Sequence, residues 1–260
     1  MIKIILAAGQ GNRLKRTLPK GFKYITKSLI KFNGEASINR LLKQVNFING
    51  ETLVVLGHES ESVMKAINFK DTKIIINENF KDDSNLLSLN KAINYVFRES
   101  LITSEGILII EADSFFQTKL LQNYIAYLTL NKESLNKKNT ICWTTKGNAL
   151  KSDSGGFIEP LRNENNNKNG SIFDIYISET KKSNNTKKLY GLTWFNEEAI
   201  KSWLRQANNL LDTQKIQKPF YFHDVIFRNK DAYIMNYYDM SNKALSFNDY
   251  KEYIYCLNSN

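Results

Sequence analysis

Apolar residues in this chain gather into short runs separated by polar turns. Residues 3–6, 52–56, 73–76 and 106–110 are such runs, dominated by Ile, Leu and Val. A short run without alternation predicts a strand covered on both faces, as in a parallel sheet. Between the runs the apolar spacing changes to that of helices, predicted over 37–45, 60–68 and 85–97. In the first of these, Ile38, Leu41, Leu42 and Val45 share one face and Ser37 is placed to cap the N-terminus. Residues 10–27 are polar, basic and glycine-containing, and predict a loop.

Strands alternating with helices through short connections specify an α/β fold: a Rossmann-like, doubly wound, mostly parallel sheet with helices on both faces. Ligands of such sheets bind beyond the carboxyl ends of the strands. Residues 7–13, 57–61, 77–88 and Asp113 should therefore converge on one rim. The second half is less regular. Strands are predicted at 140–144, 172–177, 189–195 and 232–237, helices at 197–211 and 248–257, and a turn or hairpin at 152–160 around Gly155-Gly156. Polar stretches near 163–170 and 181–188 predict exposed loops. No linker or repeat interrupts the chain. It reads as one domain over 1–260, with a regular half (1–140) and a decorated half (141–260).

Composition narrows the function classes. Of the 260 residues, 42% are apolar, which supports a sizeable core and excludes a disordered chain. The formal net charge of +10 fits scattered surface lysines as well as binding of nucleic acid, an acidic membrane surface or a multiply charged anion, and composition alone does not choose among them. The basic residues are dispersed, with no tail or zinc ligand set, so nucleic acid is not the expected partner. Two distant cysteines, Cys142 and Cys256, form neither a disulfide framework nor a zinc knuckle and point to a reduced, cytoplasmic setting. The first apolar run, about seven residues long, is too short for a membrane span. Nothing in the chain sets an oligomeric state.

The candidate chemistry starts where the first strand ends, at Leu6-Ala7-Ala8-Gly9-Gln10-Gly11-Asn12-Arg13-Leu14. Leu6, Ala7 and Ala8 leave room for a planar base and ribose. Gly9 and Gly11 let backbone N–H groups approach phosphate oxygens, and Arg13 can neutralise them with a fixed fork of donors. The spacing is neither a dinucleotide fingerprint nor a Walker A loop. The fourth strand closes on Glu111-Ala112-Asp113. A carboxylate there faces the ligand crevice, and Mg²⁺ prefers one or two carboxylates with phosphate oxygens and water. Asn85 and Ser88 lie three apart at a helix start, where they can face one ligand or cap the helix.

These segments resemble the sugar-nucleotidyltransferase superfamily. The loop 6–14 is similar to its signature loop. Thr26-Lys27-Ser28-Leu29 stands where its Pro-Lys segment falls, with threonine in place of the proline. The Gly-Thr/Ser-Ala segment of the enzymes that use UTP, dTTP or GTP is missing. The stretch from Asn77 to Leu89 resembles instead the phosphocholine and phosphonate cytidylyltransferases. The resemblance implies a nucleotidyltransferase that moves CMP from CTP to a small phosphorylated or phosphonate acceptor and releases pyrophosphate, in the decoration of surface polysaccharide or lipid. It implies Lys27 as the phosphate-binding lysine, with Lys20 as the alternative, and catalytic roles for Lys27, Arg13 and Asp113. It also implies Mg²⁺ on Asp113 and on a second aspartate from the last strand. Asp239 is the expected second ligand, and Asp224 the alternative. Nucleotide contacts fall on Leu6, Ala7, Ala8, Gly9, Gly11, Asn12, Arg13, Lys27, Asn85 and Ser88. Trp143 and Trp194 are either lining of the acceptor pocket or core. The competing readings are a sugar-1-phosphate nucleotidyltransferase and a non-catalytic nucleotide-binding protein.

Overall fold

The computed structural model describes residues 1–22, 26–151, 153–161, 169–212, 220–241 and 243–259. Its first half runs β1 (Ile2–Ala7), α1 (Asn12–Thr17), β2 (Lys31–Phe32), β3 (Glu35–Ala36), α2 (Ser37–Val45), β4 (Thr52–Leu56), α3 (Ser60–Ala66), β5 (Thr72–Ile76), α4 (Leu86–Arg98) and β6 (Ile107–Glu111). The second half runs β7 (Ser114–Phe115), α5 (Thr118–Leu130), α6 (Lys132–Leu135), β8 (Thr140–Asn148), β9 (Gly155–Pro160), β10 (Asn169–Ser178), β11 (Lys187–Phe195), α7 (Glu197–Asp212), α8 (Phe222–Phe227), β12 (Ile234–Asp239), β13 (Leu245–Ser246) and α9 (Tyr250–Asn258).

The four apolar runs pair in parallel in the order β5-β4-β1-β6, with Ile4 opposite Leu53 on one side and Ile109 on the other. Alternation then sorts each strand between two cores. Ile2, Ile4 and Leu6 pack with α4, α7 and α8. Ile5 and Ala7 pack on the other face with α2 and α5. The fold is therefore α/β and Rossmann-like, and the sheet has a second, differently wired part. Beyond β6 the order continues β11-β8-β12-β10-β9. β11 is antiparallel to both β6 and β8, and β8–β12 is the one parallel pairing described in this part. β9 also pairs with β11, at Lys187↔Ile158 and Lys188↔Phe157, so this part curls round and closes on itself.

Several segments differ from the sequence expectation. The loop over 10–27 contains α1, because Leu14 is drawn into a third core with Ile30, Phe32, Phe247 and Tyr253. The polar stretch 181–188 ends inside β11, where Lys187 and Lys188 take ladder positions. Residues 163–168 of the other expected loop lie outside the described residues, while Asn169 and Gly170 open β10. Trp143 and Trp194 are core: the first stacks on Phe222, and the second donates its indole N–H to the Glu105 carbonyl. Among the described residues no helix is long and apolar enough to cross a membrane.

Both cysteines are free and fully buried, and burial pushes each thiol up to about 12. A thiol kept protonated and covered is a poor nucleophile. Ellman's reagent should therefore titrate neither cysteine in the native protein and both after denaturation. A fast native thiol would contradict this packing.

Candidate active site

At the carboxyl ends of β1 and β6 lies a cleft of about 340 Å³. Its lining includes Leu6, Ala7, Ala8, Gly9, Gly11, Asn12, Arg13, Lys27, Asn85, Ser88 and Asp113. Every residue expected to touch the nucleotide or the metal is thus on one rim except Asp239. The loop after β1 is shaped by two glycines with different reasons. Gly11 sits at φ 63°, a left-handed conformation that costs most residues energy, and starts α1 with Arg13 in its first turn. A Cβ on Gly57, at the end of β4, would stand 2.5 Å from the Phe80 Cβ and 2.9 Å from the Ala8 carbonyl. Only glycine lets β4 exit so close to β1, and the next amide, that of His58, bonds the same carbonyl at 3.1 Å.

The charged centre is built by a pair of two-residue strands. β7 continues from Asp113 and pairs antiparallel with β13, and the Phe247 amide donates to the Asp113 carbonyl at 3.2 Å. This brings Asn248 alongside Asp113. Lys27 opens a single 3₁₀ turn and lays its ammonium between them, 3.1 Å from Asp113 Oδ2 and 2.9 Å from Asn248 Oδ1. Arg13 Nη2 donates to the same Asn248 oxygen at 2.8 Å. Two cations and one carboxylate are thus organised round a single amide oxygen. The Asn248 backbone is in turn fixed by its N–H bond to Glu252 Oε2 at 2.6 Å. Lys20 is exposed and does not belong to the cleft lining.

Along the other wall the hydrogen bonds of Asn85 and Ser88 are spent inside the protein. Asp83 is the cap of α4: its carboxylate accepts the amides of Asn85, Leu87 and Ser88 at 2.8, 3.0 and 2.9 Å. Its Oδ2 also accepts the Ser88 hydroxyl at 2.7 Å and the Asn77 side-chain amide at 2.9 Å. Asn85 is held at φ 125° and bridges two elements. Its Oδ1 accepts the Phe222 amide of α8 at 2.8 Å, and its Nδ2 donates to Glu111 Oε1 at 3.3 Å. A non-glycine residue in that region is strained, and strain of this kind gathers at functional sites.

Glu111 lines the cleft two residues before Asp113. Burial, and then the neighbouring charge of Asp113, raise its carboxyl to about 7. His223 Nε2 lies 3.8 Å from it, but burial holds that imidazole down at about 3, so the ring is neutral.

Asp239 does not join this centre. It forms an ion pair with Lys187 at 2.6 Å in which both side chains are less than a tenth exposed. Its position at the end of β12, opposite Thr145, ties that strand to the start of β11. Asp224 is used up as well, since its Oδ2 accepts the Tyr221 amide at 2.8 Å and caps α8. The oxygen that shares the Lys27 ammonium with Asp113 belongs to Asn248, which precedes the closing helix. Sequence reading missed it because an Asn-Asp pair at a helix start is also an ordinary cap signal. Glu111 also lines the cleft, although only its neighbour Asp113 was expected there.

A model of the MobA-like NTP transferase domain matches residues 3–161, more than half of the chain. The Bifunctional protein GlmU of a Nitratiruptor species is 28% identical over 126 residues, which cover 47% of this chain and 26% of that protein. The chain thus matches about a quarter of the length of that curated relative. Among solved structures, the CTP:phosphocholine cytidylyltransferase of Streptococcus pneumoniae superposes with a TM-score of 0.70 at 14% identity, covering 99% of this chain and 98% of that one. A UDP-glucose pyrophosphorylase reaches 0.71 at 13% identity, covering 99% and 97%. The inositol-1-phosphate CTP transferase of T. maritima reaches 0.66 at 13% identity, covering 99% and 95%. At such identities the likeness is one of fold.

Proposed function

Since the chain belongs to the family of MobA-like NTP transferase domains, we propose that it is a Mg²⁺-dependent nucleotidyltransferase. It transfers a nucleotidyl group, CMP from CTP, to a small phosphorylated or phosphonate acceptor and releases pyrophosphate. The observation that carries this reading is the convergence of Arg13 and Lys27 on Asn248, with Asp113 held to the same Lys27 ammonium, at the mouth of β1 and β6. CTP is favoured over UTP, dTTP or GTP by the Asn77–Leu89 segment, which has no Gly-Thr/Ser-Ala in it.

The chemistry joins two anions. At about 4 Å two unit charges repel by about 4 kcal/mol at an effective dielectric constant near 20. Catalysis is then mostly positioning and charge neutralisation. Leu6 and the small Ala7 and Ala8 floor the base and ribose. Arg13 and the backbone N–H groups of the loop hold the β- and γ-phosphates. Lys27 meets the α-phosphate and the incoming oxygen. An acceptor oxygen attacks the α-phosphorus, the new P–O bond forms, and the bond from the α-phosphorus to the bridging oxygen breaks in line. The attacking group is already an anion, so no histidine base is needed.

The donor set fits a hard divalent cation. Asp113 Oδ2 and Asn248 Oδ1 both lie within about 3 Å of one cationic nitrogen, and Mg²⁺ takes oxygen ligands with few carboxylates. Asp113 and Asn248 would hold it. Bound there, the ion would neutralise charge shared by the nucleotide and the acceptor.

The test is pyrophosphate release from the purified protein with Mg²⁺, each of CTP, UTP, GTP, ATP and dTTP, and a pool of phosphorylated acceptors. Acceptor-dependent release with CTP alone is expected. Release with UTP, dTTP or GTP and a sugar 1-phosphate would move the protein to that neighbouring class. Nucleotide binding without release in any combination would leave a non-catalytic nucleotide-binding protein.

A further inference from the structure

Asp113 stands where the chain leaves the main sheet. β6 ends at Glu111, and α5 starts at Thr118. Between them the backbone is held on one side by the two-residue ladder of β7 with β13. From the other side two side chains of α2 reach across: Arg40 Nη2 and Gln44 Nε2 both donate to the Phe116 carbonyl. The Arg40 guanidinium also lies over the Phe115 ring at 3.8 Å and over Phe32 at 5.7 Å. Phe32 packs in turn on Phe115 and Phe247 at 4.8 and 5.2 Å. One arginine thus bears on the strand that follows Asp113 and on the ring cluster that includes the neighbour of Asn248. Its helix is tied as well to the turn that carries Lys27. The Ser37 amide donates to the Ile30 carbonyl at 2.9 Å, and the Ile30 amide to the Lys27 carbonyl at 3.3 Å.

Stability alone does not call for a charge at this place, because Gln44 by itself satisfies the Phe116 carbonyl. Arg40 is more than nine-tenths buried, its Nη1 has no hydrogen-bond partner, and among the described residues it makes no ion pair. Burial lowers its pKa to about 10, so it stays charged at neutral pH. A buried charge without a counter-ion costs free energy that a carbonyl and a ring face offset only in part. Arg40 is absent from the cleft lining, so it does not touch the nucleotide. What it supplies is geometry. A guanidinium is planar, with donors in a fixed fork, so one group sets both the Phe116 carbonyl and the Phe115 ring. We infer that Arg40 is a positioning residue of the charged centre: it holds β7 so that the Asp113 carboxylate keeps its place relative to Asn248 and Lys27. The inference rests on the nucleotidyl-transfer reading of the cleft.

The test compares the wild type with Arg40→Met, which keeps an unbranched apolar chain but loses the donors and the charge, and with Arg40→Lys, which keeps a cation able to reach the same carbonyl and ring. Calorimetry measures the binding of CTP, or of whichever nucleoside triphosphate binds, with and without Mg²⁺. Pyrophosphate release and thermal melting are recorded separately. In the wild type Mg²⁺ should tighten nucleotide binding. Arg40→Met should lose about tenfold or more of that gain and of kcat, the usual cost of removing a group that orients a metal ligand, while metal-free affinity stays within about twofold. The metal-free term should hold because Arg13, Lys27 and the glycine loop are carried by other elements. Arg40→Lys should recover most of the loss. A full Mg²⁺ gain in Arg40→Met would overturn the assignment. So would an equal loss of metal-free affinity, which marks general damage to the fold, or an Arg40→Lys protein no better than Arg40→Met. Should Arg40→Met fail to fold, Phe115→Leu removes the ring beneath the guanidinium and should show the same selective loss; a wild-type gain in that variant would overturn the role. Absence of any Mg²⁺ gain in the wild type would overturn it too. A gain without pyrophosphate release would remove the transfer reading, and the same binding comparison would still decide the role of Arg40.

Discussion

Lys27→Ala should lower kcat/KM by about 10²–10³-fold, the loss that follows removal of one preorganised group facing developing charge. The Lys27 ammonium touches both Asp113 and Asn248 and lies 5.7 Å over the Phe247 ring. No other lysine among the described residues is placed to substitute for it, because Lys20 is exposed and lies outside the cleft. Arg13 cannot take over either, since its guanidinium shares the Asn248 oxygen from the loop side. Lys27→Arg should recover little, because a planar fork does not reproduce a compact ammonium between two oxygens. The fold should survive. The lysine sits in a single 3₁₀ turn and lines the cleft, where water can reach the Asp113 carboxylate left without its partner. Steady-state kinetics and thermal melting by circular dichroism separate the two effects. An alanine variant with full activity would sink the assignment of Lys27, and one that fails to fold would shift its role to structure.

The second large effect is expected at Asp113. Asp113→Ala should cost at least about 10³-fold in kcat, because the several kcal/mol supplied by a bound divalent ion would be lost with its charged ligand. The two substitutions should differ in binding. Loss of Asp113 leaves Lys27 without its carboxylate partner, so a metal-free nucleotide should bind as tightly as before or tighter. Loss of Lys27 should weaken it. The fold does not depend on the Asp113 carboxylate, since the contact that anchors β13 uses the backbone carbonyl of Asp113 and not its side chain. Fluorescence titration of CTP with and without Mg²⁺ gives the comparison. Equal Mg²⁺ dependence in the wild type and Asp113→Ala would place the metal elsewhere.

How far the sequence could be read depended on whether the cause lay nearby. β1, β4, β5 and β6 were legible to within about one residue at either end, because burial on both faces writes itself as an unbroken apolar run. α2 was legible because its face is set by its own spacing. The rim loops followed from the order of those elements. What failed was determined at a distance. β7 and β13 are two residues each and exist only because each pairs with the other across the chain. α8 is six residues and takes its place by capping through Asp224 and docking on Asn85. Asn248 becomes a site residue through that same β7–β13 pairing, and Asp239 is withdrawn from the site by Lys187, 52 residues earlier in the chain. Asn85 and Ser88 were placed on the cleft, but their side chains act first on the protein itself. A motif says which residue types stand together and not which partner takes each hydrogen bond.

The closure of β9 on β11 also bears on how copies of this chain meet one another. A strand whose N–H and C=O groups lack a neighbour is a template for another chain, and such edges seed aggregation and domain exchange. Here β9 bonds to β10 along one side and, at Phe157 and Ile158, to the start of β11 on the other, so that end of the sheet is partly closed by its own backbone. At the opposite end of the sheet β5 is bonded to β4 alone among the described residues. That strand is five residues long and carries exposed Lys73 near its start. Strand addition by a second molecule at this margin therefore meets a short strand with a lysine near its start.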